Sequence, residues 1–504
     1  MSSSTNQTAM FLNDKHQNQY RCLCIVLQAV NDTCKHRNDI RYSSGSSCSD
    51  ASLTDYQKVL CKMAQILDNE KGGNCATALV VLQGPNGPDY VFASNLRKET
   101  ELQRVKSFFS ELLGYVGDQP AGYNPKAVQK QVFGRILEFN FPRLEVYLNG
   151  LSTALDSCME DCEKSQELDR LNDIAQLQIL KERAQFPRDM TSTTNAKPKF
   201  FRDCEDLIRA IQRSKEDKID NLLDKYIGNA EPELAYHWYQ LRHHLGRLLS
   251  LRQASAAIVQ AFKEWPKLFK GFTVSYINSS RPQRFSRPQA LLTPPMEIIE
   301  AAFPEYDTSY YNNDIQELCQ HGLYARIQKQ EQEFPLKTLV HCEANLHNHL
   351  IKTGKTRSCD LWEGVMFIAT SKPPCRLCYY YFQHGDNDFQ VQPSHMNLYP
   401  KWRLPDVADL NNEASIEDRC ELIDDIMEHM QEDTLKILQN KFPEWKRNDS
   451  RTDSRNWPAL SLRDGADSRT SVGGHDMHSL SHIADADSYV MDMGTEDFGV
   501  AVTL

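Results

Sequence analysis

The chain has 504 residues, 40% of them hydrophobic and 25% charged, with a formal net charge of −11. That is too long for one ordinary core and allows about three domains' worth of chain. It holds no apolar run of about 18 residues or more, so no membrane span is expected, and its start, MSSSTNQTAMFLNDKHQNQY, lacks the basic-then-apolar plan of a secretory signal. Fifteen scattered cysteines, an odd number, then point to reduced thiols in an intracellular protein of the cytoplasm or nucleus rather than a secreted one, with any close pair free for metal. From Leu404 onward 22 acidic residues face 9 basic ones, a net of −13, which leaves about +2 for the rest. The acidic balance belongs to the C-terminal arm and says little about the partners of the body.

Residues 1–54 are polar, with a Ser-rich stretch at Ser43-Ser44-Gly45-Ser46-Ser47, and read as a partly ordered leader. Val59, Leu60, Met63, Ile66 and Leu67 recur at helical spacing, which predicts an amphipathic helix over 55–69. Two β-rich runs, Cys75–Leu82 and Tyr90–Ala93, flank Gly84-Pro-Asn-Gly87 and read as a hairpin, so that 55–97 is a helix followed by a hairpin. From 98 to 330 the pattern is mostly helical, with runs at Phe133–Leu151, Leu168–Leu180, Leu207–Tyr226 and Leu234–Phe262. This segment is expected to form an all-α domain or insert, interrupted near its end by Pro282, Pro288, Pro294 and Pro295.

The segment 331–410 carries the chemistry. A helix is predicted over 338–352, opening at His341-Cys342-Glu343, then a buried strand at Gly364–Thr370. A second helix follows from Cys375 to about Phe382, with Pro374 suited to its first turn, and a further strand at Phe389–Val391. An amphipathic helix over Ile416–Leu438 occupies 411–445, and 446–504, rich in Asp, Ser, Arg and Gly, reads as a disordered tail.

His341, Cys375, Cys378 and Glu343 are the parts of a hydrolytic zinc site. Zinc takes His nitrogen and Cys sulfur, and a catalytic site keeps its fourth position open for water. Residues i and i+2 of a helix point about 200° apart. His341 and Glu343 therefore share one site only from the first turn of a helix aimed end-on at the metal, and the same holds for Cys375 and Cys378. Unpaired amides at such helix starts favour ionised thiols. Zinc would bring a water molecule's pKa toward neutrality, and Glu343 would take that water's proton and pass it on. Two blander readings compete. Cys342 or Cys359 would be a fourth ligand of a closed structural site, or Glu343 would only accept a hydrogen bond from a ligand.

At these residues the chain resembles the cytidine-deaminase-like superfamily, whose signature is H-x-E…P-C-x-x-C. Thr370–Cys378 looks like the Thr-Ser-x-x-Pro-Cys-x-x-Cys of its AID/APOBEC branch. The longer run from Val340-His-Cys-Glu-Ala to Tyr399-Pro-Lys-Trp-Arg-Leu-Pro405 is similar to the OTT-type deaminases of fungal chains. The resemblance covers about 335–410. It implies an α/β fold, an α/β/α sandwich with zinc between two helix N-termini. His341, Cys375 and Cys378 would be ligands and Glu343 the proton shuttle in deamination of a cytosine- or adenine-type base. Such folds begin helix–strand–turn–strand, often with a substrate-contacting Asn. The match here ends at Asn95, about 245 residues before His341, so either 98–330 is inserted into the fold or the hairpin belongs elsewhere. Asn95 is equally well read as a capping or turn residue.

Other candidates are weaker. Pro374 and Tyr379 would line a substrate pocket. Lys263, Lys267, Lys270, Arg281, Arg284 and Arg287 interleave with Phe262, Trp265, Phe269, Phe272, Tyr276 and Phe285, a pattern that suits single-stranded nucleic acid or a helix with a buried aromatic face. Thr353-Gly-Lys-Thr356 fails as a phosphate loop because His349 stands where its first glycine belongs. His347 and His349 read as solvated or as donors behind the ligands, and His237, His243 and His244 as helix residues. The readings left open are a zinc deaminase, a zinc-stabilised module with protein partners on its helical region, and a nucleic-acid-binding protein.

Overall fold

The computed structural model describes residues 14–37, 52–164, 169–188, 195–216, 219–228, 232–284, 293–306, 308–385, 388–406 and 412–443. The chain opens with α1 (Asp14–Arg37), inside the segment read as a polar leader. The apolar run Cys22–Leu27 is buried, so this helix belongs to the core, which the average composition of 1–54 concealed. α2 (Asp55–Leu67) starts at Thr54, whose hydroxyl accepts from Gln57 N while Gln57 Oε1 accepts from Thr54 N. This reciprocal pair satisfies two otherwise orphaned amides.

The hairpin forms as expected. β1 (Thr77–Gln83) runs antiparallel to β2 (Pro88–Ser94), with Thr77 opposite Ser94. The chain then passes through α3 (Glu99–Gly117), α4 (Pro125–Phe139), α5 (Phe141–Lys164), α6 (Arg170–Ala184), α7 (Ala196–Glu216), α8 (Ile219–Gly228) and α9 (Pro232–Glu264). The run read as one helix over 133–151 is broken at Asn140, just before Pro142 in the first turn of α5. The run 207–226 is likewise two helices.

Strand β3 (Thr273–Ile277) corrects the all-helical reading of 98–330. It pairs in parallel with β2, Asp89 opposite Thr273 and Ala93 opposite Ile277. Helices α3–α9 are thus an excursion between two neighbouring strands of one sheet. Thr273-Val-Ser-Tyr-Ile277 is β-branched and aromatic, but too short to register beside 33 helical residues of α9.

A small ladder of β4 (Gln283–Arg284) and β5 (Lys337–Thr338) brackets α10 (Pro295–Ala302), α11 (Asn312–Gln320) and α12 (Leu323–Glu333). Then come α13 (Cys342–Lys352), β6 (Phe367–Thr370), α14 (Arg376–Gln383), β7 (Gln390–Val391) and α15 (Glu413–Asn440). β6 pairs antiparallel with β1, Ala78 opposite Thr370 and Leu79 opposite Ala369, and β7 lies parallel to β6. The five-stranded order is β3-β2-β1-β6-β7.

Alternation along the strands divides the molecule into layers. Leu79, Val81, Tyr90, Phe92, Phe367 and Ala369 face one core, shared with α2 and α3–α9. Ala78, Val80, Leu82, Val91, Ala93 and Ile368 face a second, shared with α1, α13, α14 and α15. The helical excursion therefore covers one face of the sheet and the helices bearing the metal-binding motif cover the other. No described helix is long and apolar enough to cross a membrane. The tail read as disordered, 446–504, lies outside the described residues, as does Arg287.

One buried polar network joins these parts. Asp68, after α2, is fully buried and takes a hydrogen bond of 2.9 Å from Arg143 of α5 and one of 3.2 Å from Ser371 Oγ, just after β6. Ser371 Oγ accepts from Thr77 N at 3.0 Å, and Ser371 N donates to Thr77 O at 2.8 Å. Removing one partner of a buried pair strands the other charge in low dielectric. We expect Arg143→Ala to lower stability to urea by about 3–5 kcal/mol. A double exchange of Asp68→Asn with Arg143→Met should cost less than the single change. Equal losses from both proteins would show that the charge pair is not the source.

Candidate metal centre

Both ligand arms start at helix caps. His341 precedes α13 with extended backbone (φ −70°, ψ 152°), and Cys375 precedes α14 in the same way (φ −74°, ψ 171°). Pro374 thus sits ahead of the cap rather than in the first helical turn. Cys375 Sγ accepts from the backbone N–H of Cys378 at 3.5 Å, so an orphan amide of the helix start serves the sulfur. The loop from β6 delivers Cys375, and β5 leads into His341.

His341, Cys375 and Cys378 offer ligand atoms that all lie within 4.8 Å of one another. His341 Nδ1 is 3.4 Å from Cys375 Sγ and 3.5 Å from Cys378 Sγ. With metal–sulfur and metal–nitrogen bonds of about 2.3 and 2.0 Å, a tetrahedral zinc requires S···N edges of about 3.6 Å. The donor set and its spacing fit zinc. Neither Cys342 nor Cys359 joins the group among the described residues. The buried Cys342 thiol donates to Glu343 Oε2 at 3.2 Å, and Cys359 is exposed. Glu343 itself is buried at the same helix start.

The charges are tightly coupled. Burial pushes the Cys375 thiol up, but its hydrogen bond with Cys378 and the neighbouring His341 bring it down to about 6. Cys378 is driven well above its ordinary value by burial, then by Cys375 and Glu343. For His341, burial pulls downward, yet the charge and hydrogen bond of Cys375, with the charge of Glu343, carry it above the ordinary histidine value. Three coupled donors share protons that a divalent cation would displace.

Asn95 reaches this centre from the end of β2. Its Oδ1 accepts from Cys342 N at 2.6 Å, and its Nδ2 donates to Gly73 O at 2.8 Å. Asn95 thus serves the first amide of α13 from a distant part of the chain. Pro374 is buried, and its carbonyl accepts from Ser394 Oγ at 2.8 Å and His395 N at 3.2 Å. Tyr379 is half-buried in the first turn of α14. The Tyr399 ring lies 6.4 Å from His341 and 5.6 Å from His395, an aromatic side of the site that motif matching did not single out.

His347 corrects the solvated reading. It is buried, its Nδ1 lies 3.0 Å from the Tyr381 hydroxyl, and Phe382 and Phe389 flank it. Desolvation lowers its pKa to about 4. His237, His243 and His244 form no metal-binding group among the described residues. Thr353 caps the end of α13 and Gly354 (φ 66°) takes the left-handed turn after it, so Thr353–Thr356 is a surface loop.

The basic-aromatic stretch is neither one helix nor a stacking platform. Lys263, Lys267, Lys270, Arg281 and Arg284 are exposed, but Phe262 and Phe269 are buried. Trp265 packs edge-on against Tyr56, Phe272 against Tyr90, and Tyr276 beside Phe92. Trp265, Phe272 and Tyr276 are half-buried against these neighbours, the cations are exposed, and Phe285 lies outside the described residues.

His341, Cys375 and Cys378 form a group that could hold a metal ion, with the Glu343 carboxylate buried at the same helix start. Residues 340–406 match the family model of the OTT_1508-like deaminases. This segment contains His341, Glu343, Cys375 and Cys378. It leaves out β1, β2 and Asn95. No curated protein and no solved structure matches the chain.

Two outcomes follow from these contacts. Asn95→Ala should destabilise the protein by about 0.5–2 kcal/mol, the usual cost of a lost cap. Asn95→Asp, which keeps an acceptor for Cys342 N, should recover part of that in the same unfolding assay. His347 provides a pH readout. Its folded pKa is about 4, below the ordinary value of 6.5, so between these values only the unfolded chain binds the proton. Stability should therefore fall as pH drops from 6.5 to 4. His347→Leu should flatten that part of the urea-unfolding profile, and an unchanged slope would contradict the assignment.

Proposed function

We propose that the protein is a zinc-dependent hydrolytic deaminase of a cytosine- or adenine-type ring in a nucleotide or nucleic acid. The observation that carries this reading is the group of His341, Cys375 and Cys378 with Glu343 buried at the same helix start. His341 Nδ1, Cys375 Sγ and Cys378 Sγ would hold the zinc. When bound, zinc supplies a Lewis acid that brings the pKa of water toward neutrality.

Glu343 then does the proton work. Its carboxylate takes a proton from the attacking water and gives it to the ring nitrogen beside the amino-bearing carbon. A second transfer converts the amino group to ammonia as the carbonyl forms, so one water is consumed for each ammonia released. The Cys342 thiol donates to Glu343 Oε2, which fixes the carboxylate's orientation. Burial of both groups keeps bulk water from competing for these protons. Tyr399 and Tyr379 are candidates for the pocket wall, where a half-buried ring offers a face to a base. The match of residues 340–406 to a deaminase family supports the reaction class.

A nucleic acid as substrate would rely on the exposed cations Lys263, Lys267, Lys270, Arg281 and Arg284 for phosphate contacts. Protein partners on the helical excursion belong to the alternative in which the zinc is only structural. That alternative calls for a fourth protein ligand, and Cys342 is already engaged with Glu343.

Metal analysis and ammonia release test the proposal together. Wild type should carry about one zinc per chain and Cys375→Ser little or none. Glu343→Ala should keep its zinc but lose at least about 10²–10⁴-fold in ammonia release from nucleosides, nucleotides or oligonucleotides. A fully metallated wild type that is inert on all three classes would overturn the enzyme reading.

A further inference from the structure

We infer that Trp402 is a positioning residue of the metal centre, supplying an N–H···S hydrogen bond to Cys378 in the metal-loaded protein. The inference rests on the reading of His341, Cys375 and Cys378 as metal ligands. It adds a donor that the motif itself does not contain.

Trp402 is fully buried, and its indole Nε1–H points at Cys378 Sγ from 3.1 Å. The two sulfurs of the site are thus served by different donors. Cys375 receives the backbone amide of Cys378, whereas Cys378 lies within the first turn of α14 and receives a side chain from 24 residues downstream. A hydrogen bond to an ionised acceptor is roughly twice as strong as a neutral one. Partners behind the ligands set both the orientation of a ligand and the electron density that it gives to the metal. Tryptophan suits this place because its N–H donates only, so it cannot compete with the metal as a ligand.

The indole is held from two directions. Leu339 N donates to Lys401 O at 2.7 Å, and Arg403 N donates to Leu339 O at 2.9 Å. Leu339 lies two residues before His341. The segment Tyr399–Leu404 therefore braces the approach to His341 through its backbone and touches Cys378 through its indole. One short segment contacts both ligand arms. From the other side, the Tyr20 hydroxyl of α1 donates to Trp402 O at 3.3 Å. This places α1 one residue away from Cys378.

The test uses the full-length protein loaded with cadmium-113 or cobalt(II). In cadmium-113 wild type labelled with nitrogen-15 tryptophan, one indole proton should show a scalar correlation to the metal across the hydrogen bond. That cross-peak should be absent in Trp402→Phe. In the cobalt protein, Trp402→Phe should move the thiolate-to-cobalt charge-transfer band to longer wavelength, because a sulfur lone pair without its donor lies higher in energy. Trp265→Phe, which removes an indole packed on the opposite face of the sheet, should leave the band in place. Cadmium bound by two thiolates at one per chain with no indole correlation in wild type would overturn the inference alone. Wild type that takes up no metal, or gives no thiolate-to-cobalt band, would overturn the metal reading and this inference with it. The wild-type correlation decides the question even if Trp402→Phe does not fold.

Discussion

The pairing of β1 with β6 is the contact on which the rest depends. It is short, Ala78 opposite Thr370 and Leu79 opposite Ala369, and joins residues nearly three hundred positions apart. It joins the hairpin to the strand that precedes α14, alongside the packing of α13 on β1 and β2. With it, β1 lies in mid-sheet with residues buried on both faces, as a central strand requires. The loop that delivers Cys375 leaves from the paired end of β6, where Ser371 is bonded both ways to Thr77. Asn95, at the far end of the hairpin, caps the helix that begins after His341. Closing one ladder therefore positions both ligand arms.

A second ladder, β2 with β3, explains why a long helical excursion is tolerated. Helices α3–α9 leave the sheet after β2 and return as β3 on its outer side, so their ends are held by adjacent strands. They bury the face of the sheet opposite the metal centre. Communication between the two faces runs through Asp68, which bonds Arg143 of the excursion and Ser371 of the ligand loop. A buried carboxylate shared in this way ties the packing of the helical face to the geometry of the site.

Much of this was legible in the sequence where local rules are strong. The hairpin around Gly84–Gly87, the helix over α2 and the two helix starts at the motif follow from turn chemistry and periodicity. The grouping of His341 with Cys375 and Cys378 was also legible, because the H-x-E…P-C-x-x-C pattern pairs them and both arms begin at helix starts. What was hidden has a common cause. β3 is five residues whose pairing is with a strand 184 positions earlier, as in Asp89 opposite Thr273, and no local pattern encodes a partner. The burial of α1, the inward turn of Trp265 and Phe272, and the contact of Trp402 with Cys378 are likewise tertiary. Basic and aromatic residues alternating over 262–287 fit both a nucleic-acid face and a buried aromatic face, because sequence shows composition and not direction.

The central claim is that the metal is held by three protein donors with its fourth position left to water. Zinc-edge X-ray absorption on the purified full-length protein tests it most directly. The account predicts two sulfur scatterers at about 2.3 Å and two light scatterers at about 2.0–2.1 Å, one with the outer-shell pattern of an imidazole and one without. A third sulfur, or a second imidazole in place of the isolated light atom, would mean a closed structural site and would contradict it.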